Sequence, residues 1–287
     1  MNRLYLIIIP VLLQSCSSMY IPASRSIPLL EKQGEFQMEA GASTNSVYAN
    51  VSGAMTDDIA FTINGNMSYR NFTDYYDLTT YKDAEAPTGY FKLDFRGEFV
   101  HRYGEISVGK INMLPDFPMK LELFGGAGIG RATDFVDYYS NSYGNYEADY
   151  YSIFGQGNFG LKKRKIEAGV STRLAYSMFN YTSDYKNLYG EQYLFQDKFG
   201  AMSFEPILFV RFGGDNLKTV FRIGLNLMLP RNLDKQDGVH YGRGFNDYGD
   251  WKYTIFNFSV GLSYRTGGTE TKRTNNRKVK YHEFYRR

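Results

Sequence analysis

Lys218-Thr219-Val220-Phe221-Arg222-Ile223-Gly224-Leu225-Asn226-Leu227-Met228-Leu229 changes character at every second residue. Thr219, Phe221, Ile223, Leu225, Leu227 and Leu229 fall on one side, and Lys218, Arg222, Gly224 and Asn226 on the other. A period of two sends alternate side chains to opposite faces, so this stretch is a strand with one apolar and one polar face. Residues 166–181 behave likewise, with Ile166, Ala168, Val170, Leu174, Tyr176 and Met178 opposing Glu167, Gly169, Ser171, Arg173 and Ser177. In 252–265, Phe256, Phe258, Val260, Leu262 and Tyr264 oppose Asn257, Ser259, Gly261, Ser263 and Arg265. Similar alternation over 36–43, 46–55, 59–70, 102–111, 120–131, 150–161 and 199–212 brings the count to ten strands.

A soluble sandwich also alternates, so other features decide. Several strands run to a dozen residues, which suits the ~9–11 needed to cross a bilayer at a tilt. The polar face is rich in glycine and in charges of both signs, as a barrel interior is. Short connections at 56–58, 114–118, 162–165 and 213–217 alternate with long ones at 71–101, 132–149, 182–198 and 230–251. In lipid a sheet must close on itself to satisfy its edges. The expected fold is therefore all-β: an antiparallel transmembrane β-barrel of about ten strands, with eight or twelve as alternatives. Residues 89–100 also alternate and are taken as an upward extension of the strand that follows. An even count puts both chain ends at the periplasmic rim, with the long loops outside.

Glu122-Leu123-Phe124-Gly125-Gly126-Ala127-Gly128-Ile129-Gly130-Arg131 resembles the glycine-rich strand of small outer-membrane barrels from Gram-negative bacteria. That family implies residence in the outer membrane. At the N-terminus, Arg3 precedes an apolar run from Leu4 to Leu13 that Pro10 interrupts, too short to span as a helix and suited to a secretory signal. Leu13-Gln14-Ser15-Cys16 then resembles the lipobox of bacterial lipoproteins, which implies a diacylglyceryl group on Cys16 as the new N-terminus. Ser17 is not the acidic residue that resembles an inner-membrane retention signal. The domain plan is a signal peptide at 1–15, a periplasmic linker at 16–34, the barrel at 35–265 and a basic tail at 266–287.

The single cysteine among 287 residues excludes a disulfide scaffold and a thiolate-ligated metal. A net charge of +3 gives no case for nucleic acid. On the inward face lie Glu39, Glu105, Glu122, Glu167 and Glu205 with Arg70, Arg173, Arg211, Arg222 and Arg265. The lumen of a ten-strand barrel is narrow, so these acids and bases are read as pairs that fill it; a charged constriction for small solutes is the alternative. The tyrosine- and acid-rich loops, with Asp74, Tyr75, Asp134, Tyr146, Tyr185 and Tyr193, are read as girdle and loop packing, with a surface-ligand site as the alternative.

The three histidines, His101, His240 and His282, show no spacing typical of a catalytic set, even with Ser140 or Asp247 as neighbours. The expectation is no enzyme, no metal and no cofactor beyond the lipid on Cys16. The expected role is structural or accessory: a barrel anchored in outer-membrane lipid. Its tail, with seven basic against two acidic residues, offers contact to other outer-membrane or periplasmic proteins.

Overall fold

The computed structural model describes residues 24–44, 46–77, 92–111, 114, 119–138, 142–186, 190–230 and 256–267. Eleven strand elements appear: β1 (Phe36–Ser43), β2 (Val47–Ala54), β3 (Ile59–Asp77), β4 (Lys92–Lys110), β5 (Met119–Tyr138), β6 (Ser142–Lys162), β7 (Ile166–Lys186), β8 (Gln192–Gly213), β9 (Leu217–Leu225), β10 (Leu227–Pro230) and β11 (Phe256–Thr266). Both β9 and β10 pair with β8 and are separated only by Asn226, so they form one strand and the count is ten. Each strand pairs antiparallel with its sequence neighbour, and β11 pairs with β1 from Phe36↔Thr266 to Ser43↔Ser259. The sheet thus closes on itself as an up-and-down barrel, the arrangement by which strands satisfy their edges in lipid.

The alternation seen in the sequence becomes inside and outside. On β7, Ile166, Val170, Leu174, Tyr176 and Met178 are exposed, whereas Ser171, Arg173, Ala175, Ser177 and Phe179 are buried in the lumen. On β8 the outward row is Met202, Phe204, Leu208, Val210 and Phe212. This apolar belt ends upward on a continuous polar row, in which Arg102 pairs with Arg131, Arg131 with Asp149, Asp149 with Asn180 and Asn180 with Lys198. Charged side chains facing hydrocarbon are costly, so this row marks the outer boundary of the membrane.

Above that row the barrel continues. The β5–β6 ladder runs on to Tyr138↔Ser142 and the β7–β8 ladder to Lys186↔Gln192. Residues 132–149 and 182–198, expected as long loops, are therefore mostly strand, rising about 20 Å beyond the boundary at ~3.3 Å per residue. Outside lipid both faces of a strand meet polar surroundings, so the period of two fades in Asp134-Phe135-Val136-Asp137 while the hydrogen bonds continue. The alternation at 89–100 does belong to an upward extension: β4 begins at Lys92 and pairs with Asp77 of β3.

The glycine-rich strand has a steric cause. Gly128 and Gly130 face inward, and a Cβ at either would collide with the rings of Tyr103 and Tyr150 respectively. A Cβ at Gly126 would lie 2.6 Å from Cζ of Phe154. Gly130→Ala should displace Tyr150 and cost about 1–3 kcal/mol, the usual penalty of overpacking. The melting midpoint of the folded band in gel electrophoresis would read it, with Gly125→Ala as the control because its Cβ position meets nothing closer than 4.0 Å.

Candidate functional site

The lumen is the site, and it is built in three layers. Lowest, at the periplasmic mouth, Glu167 lies among Arg211 (3.1 Å), Lys218 (2.7 Å) and Arg265 (2.6 Å). Arg211 also reaches Glu39 on β1 at 3.3 Å, and Arg222 pairs with the same carboxylate. In the middle, Arg173 makes a two-pronged contact with Glu105 at 2.6 and 2.8 Å, while Asn64 donates to Glu105 and Gln156 accepts from Arg173. The Arg173 guanidinium also sits 3.9 Å from the centre of the Phe154 ring. Planar bidentate pairing of this kind suits arginine and carboxylate in a buried place.

The uppermost layer is aromatic. Tyr103, Tyr150, Phe179, Phe199, Ala201 and Met228 form one buried cluster. Tyr150 stacks on Tyr103 and tilts against Phe179, which stacks on Phe199, with ring centres 5.0–5.7 Å apart. His101 joins from below the rim, its Nε2 2.7 Å from the Tyr150 hydroxyl. His101 is wholly buried: it lies on an inward position of β4 and is locked into the ring layer.

Residues 24–30, taken from the sequence as part of a linker, enter the lumen from the periplasmic end and are buried throughout. Glu31 meets Lys120 and Lys162 at the mouth. Leu30 packs with Ala54, Ala60, Ile111 and Phe124, and its N–H donates to Glu122 at 2.8 Å. Ile27 and Leu29 pack on Ile207 and Phe209. Arg265 donates to the carbonyl of Pro28, Gln156 to that of Ser26, and Arg25 to the backbone of Glu205, whose carboxylate lies 3.4 Å away. Leu29 holds a left-handed backbone (φ 50°), a strain of about 1–2 kcal/mol that the hydrogen bonds on both sides of it offset.

Of the residues named from sequence, Glu39, Glu105, Glu167, Glu205, Arg173, Arg211, Arg222 and Arg265 thus meet one another or this segment. Among the described residues Glu122 meets no arginine side chain in a hydrogen bond; it holds Leu30 and Asn158. Of Arg70 only the backbone position is described, opposite Phe99 in the β3–β4 ladder. Cys16, His240, Ser140, Asp247, His282 and the tail beyond residue 267 lie outside the described residues. Sequence reasoning missed Arg25, Gln37, Asn64, Gln156 and Asn158, and it set Lys218 on the polar face without pairing it to Glu167. All but Arg25 sit at inward positions that the period of two would have supplied.

Above the boundary row, Asp134, Tyr146 and Tyr181 turn inward. Burial pushes the Tyr181 phenol up to about 12, with the Asp134 carboxylate adding to the effect. A phenol whose folded value is raised contributes stability that is complete below its unfolded value near 10 and is lost as pH rises through about 12. Alkaline ultraviolet titration of Tyr181→Phe should therefore show one late-ionising tyrosine fewer than the native protein, whose outer extension should loosen over the same range.

A closed ten-strand antiparallel barrel with an apolar belt, a polar boundary row and strands rising beyond it has few homes. This is the fold of an outer-membrane β-barrel. Among solved structures the barrel is similar to the outer membrane protease OmpT from Escherichia coli, at a TM-score of 0.53 and 11% sequence identity, covering 82% of this chain and 94% of that one. No family model matches the chain. No curated protein sequence matches it either. The expectation that the chain is not an enzyme is corrected by the first of these findings: a protease uses this barrel, so the architecture hosts catalysis. Catalytic groups on a barrel come together across strands, so the spacing of histidines along the chain was no ground for excluding them.

Proposed function

We propose that this chain is a lipid-anchored outer-membrane barrel with a structural or accessory role, its lumen sealed by its own N-terminal segment. The observation that carries the reading is the burial of residues 24–30 inside the barrel, bonded to Glu122, Gln156, Glu205 and Arg265. Beneath and around the segment the acids and arginines close on each other, and above it lies the aromatic layer. A bore obstructed in three layers is poorly suited to passing solutes, which disfavours the small-solute pore. The Leu13-Gln14-Ser15-Cys16 motif supports the lipid anchor. Purified protein in a planar bilayer should give no current steps; stable steps would restore the pore. Mass spectrometry of the N-terminal peptide from membranes should find Cys16 carrying two or three acyl chains, and an unmodified Cys16 would end that part.

A hydrolytic role in the upper lumen is a second reading, favoured by the likeness to a protease and by one placement. Phe99 pairs with Asp134 and His101 with Ala132, so the inward carboxylate and imidazole are diagonal neighbours on β4 and β5. Cleavage of peptides by the purified protein, lost in Asp134→Asn, would support it. Absence of cleavage over a broad peptide library would remove it.

A further inference from the structure

The periplasmic mouth holds more positive charge than it neutralises. In the lowest layer of the lumen four cations, Arg211, Lys218, Arg222 and Arg265, share two carboxylates, Glu39 and Glu167. The side chains of Arg211 and of both acids are wholly buried, so salt in the surrounding water screens the surplus poorly.

On the periplasmic side of this layer lies a cavity of about 420 Å³. Three inward side chains line it, Lys162 of β6, Lys218 of β9 and Arg265 of β11, together with Lys32 of the N-terminal segment and Lys163 and Arg164 of the turn after β6. The carboxylates of the lining are already engaged: Glu35 and Glu31 hold Lys162 at 2.8 and 3.7 Å, and Asp215 holds Arg164 at 2.8 Å. Lys32 and Lys163 are exposed, and among the described residues their ammonium groups meet no carboxylate. The described barrel ends at Gly267, on the edge of the same cavity, and the sequence that follows carries seven basic residues against two acidic ones.

Lipid phosphates do not answer this charge. The headgroups surround the barrel from outside, where they meet outward rim residues such as Lys110, which follows the exposed Ile106 and Val108 along β4. Lys162, Lys218 and Arg265 face the barrel axis instead, so their partner arrives along that axis from the periplasm. A single small anion does not answer it either. The surplus is spread over the floor of the cavity, its rim and the sequence beyond, and the match to a spread charge is a chain that repeats its own.

We infer that the cavity is a docking site for an acidic polymer of the periplasm, a flexible chain of repeated carboxylates that enters the mouth and pairs with Lys32 and Lys163 above the cationic floor. Lysine suits this role, because its ammonium is a point charge on a flexible stem and follows a moving partner, whereas an arginine fork holds one geometry. Carboxylates that reach the desolvated floor gain more than they would on an open surface, where water weakens every charge pair. The inference stands independently of the sealed lumen and of the lipid on Cys16.

The test uses the full-length protein folded in detergent micelles, with a short fluorescent chain of poly-L-glutamate as the probe and anisotropy as the readout. The probe should bind, and should be released as salt is raised. Lys32→Glu with Lys163→Glu should weaken binding about tenfold by reversing two charges of the docking field. The melting midpoint of the folded band should stay in place, because neither side chain is bonded within the barrel. Lys110→Glu should leave binding unchanged. Absence of binding overturns the inference, and so does an equal loss in Lys110→Glu, which would reduce the site to diffuse rim charge. Phosphatidylglycerol vesicles that bind the protein when poly-L-glutamate does not would give the mouth to lipid. A chain ending at Gly267 that loses all binding would assign the polymer to the tail and remove the cavity as its site.

Discussion

Arg173→Met should lower the stability of the barrel by about 3–5 kcal/mol, because it leaves the Glu105 carboxylate buried without its cation. Glu105 and Arg173 are 4% and 1% exposed, so water cannot take over the lost charge. Methionine keeps most of the length and the contact with Phe154, so the loss reports the ion pair more than a cavity. Asn64 still donates to Glu105 in the variant, while both guanidinium hydrogen bonds are lost. The double variant Glu105→Gln with Arg173→Met should recover most of the loss, since a neutral amide needs no counter-charge. The readout is the temperature or urea midpoint at which the folded electrophoretic band gives way to the unfolded one. Equal midpoints for the single and double variants would show that the pair is not what fills the middle of the lumen.

The faces of the strands were legible in the sequence because lipid imposes them: Leu225 and Ile223 must face out, and Arg222 and Asn226 must face in. The heights were not. Alternation tells which residues share the lumen, while the stagger between strands decides which of them meet. Arg211 finds Glu39 from 172 positions away, and nothing local to either residue announces it. The outer ladders were hidden for the opposite reason. Once β5 passes Arg131 it leaves hydrocarbon, so Asp134, Asp137, Glu147 and Asp149 no longer need to keep to one face, and a strand without that constraint looks like a loop. The lumen segment was hidden because it is neither strand nor helix. Its partners lie far off, as with Arg25 and Glu205 180 positions apart, although Ile27, Leu29 and Leu30 are greasier than a linker in water requires.

Arg25→Glu should be as damaging as Arg173→Met, and it separates a structural segment from a passenger. The substitution sets a second carboxylate against Glu205 where both positions are 1% exposed or less. Two like charges cannot both ionise in such a place, so either the segment leaves the lumen or one acid is held protonated, each at a cost of several kcal/mol. Expulsion has its own signature. Leu29 and Leu30 are fully buried in the native barrel and should resist chymotrypsin there, whereas an expelled segment presents them to the protease. Adding Glu205→Arg to Arg25→Glu reverses the pair and should restore both the melting midpoint and the protection. The geometry demands that recovery: Arg25 and Glu205 are joined only by the path through the lumen, so a charge swap can work across 180 residues of sequence only if the two side chains meet there. Unchanged stability in Arg25→Glu, with protection intact, would place the segment elsewhere and remove the seal on which the proposed role depends.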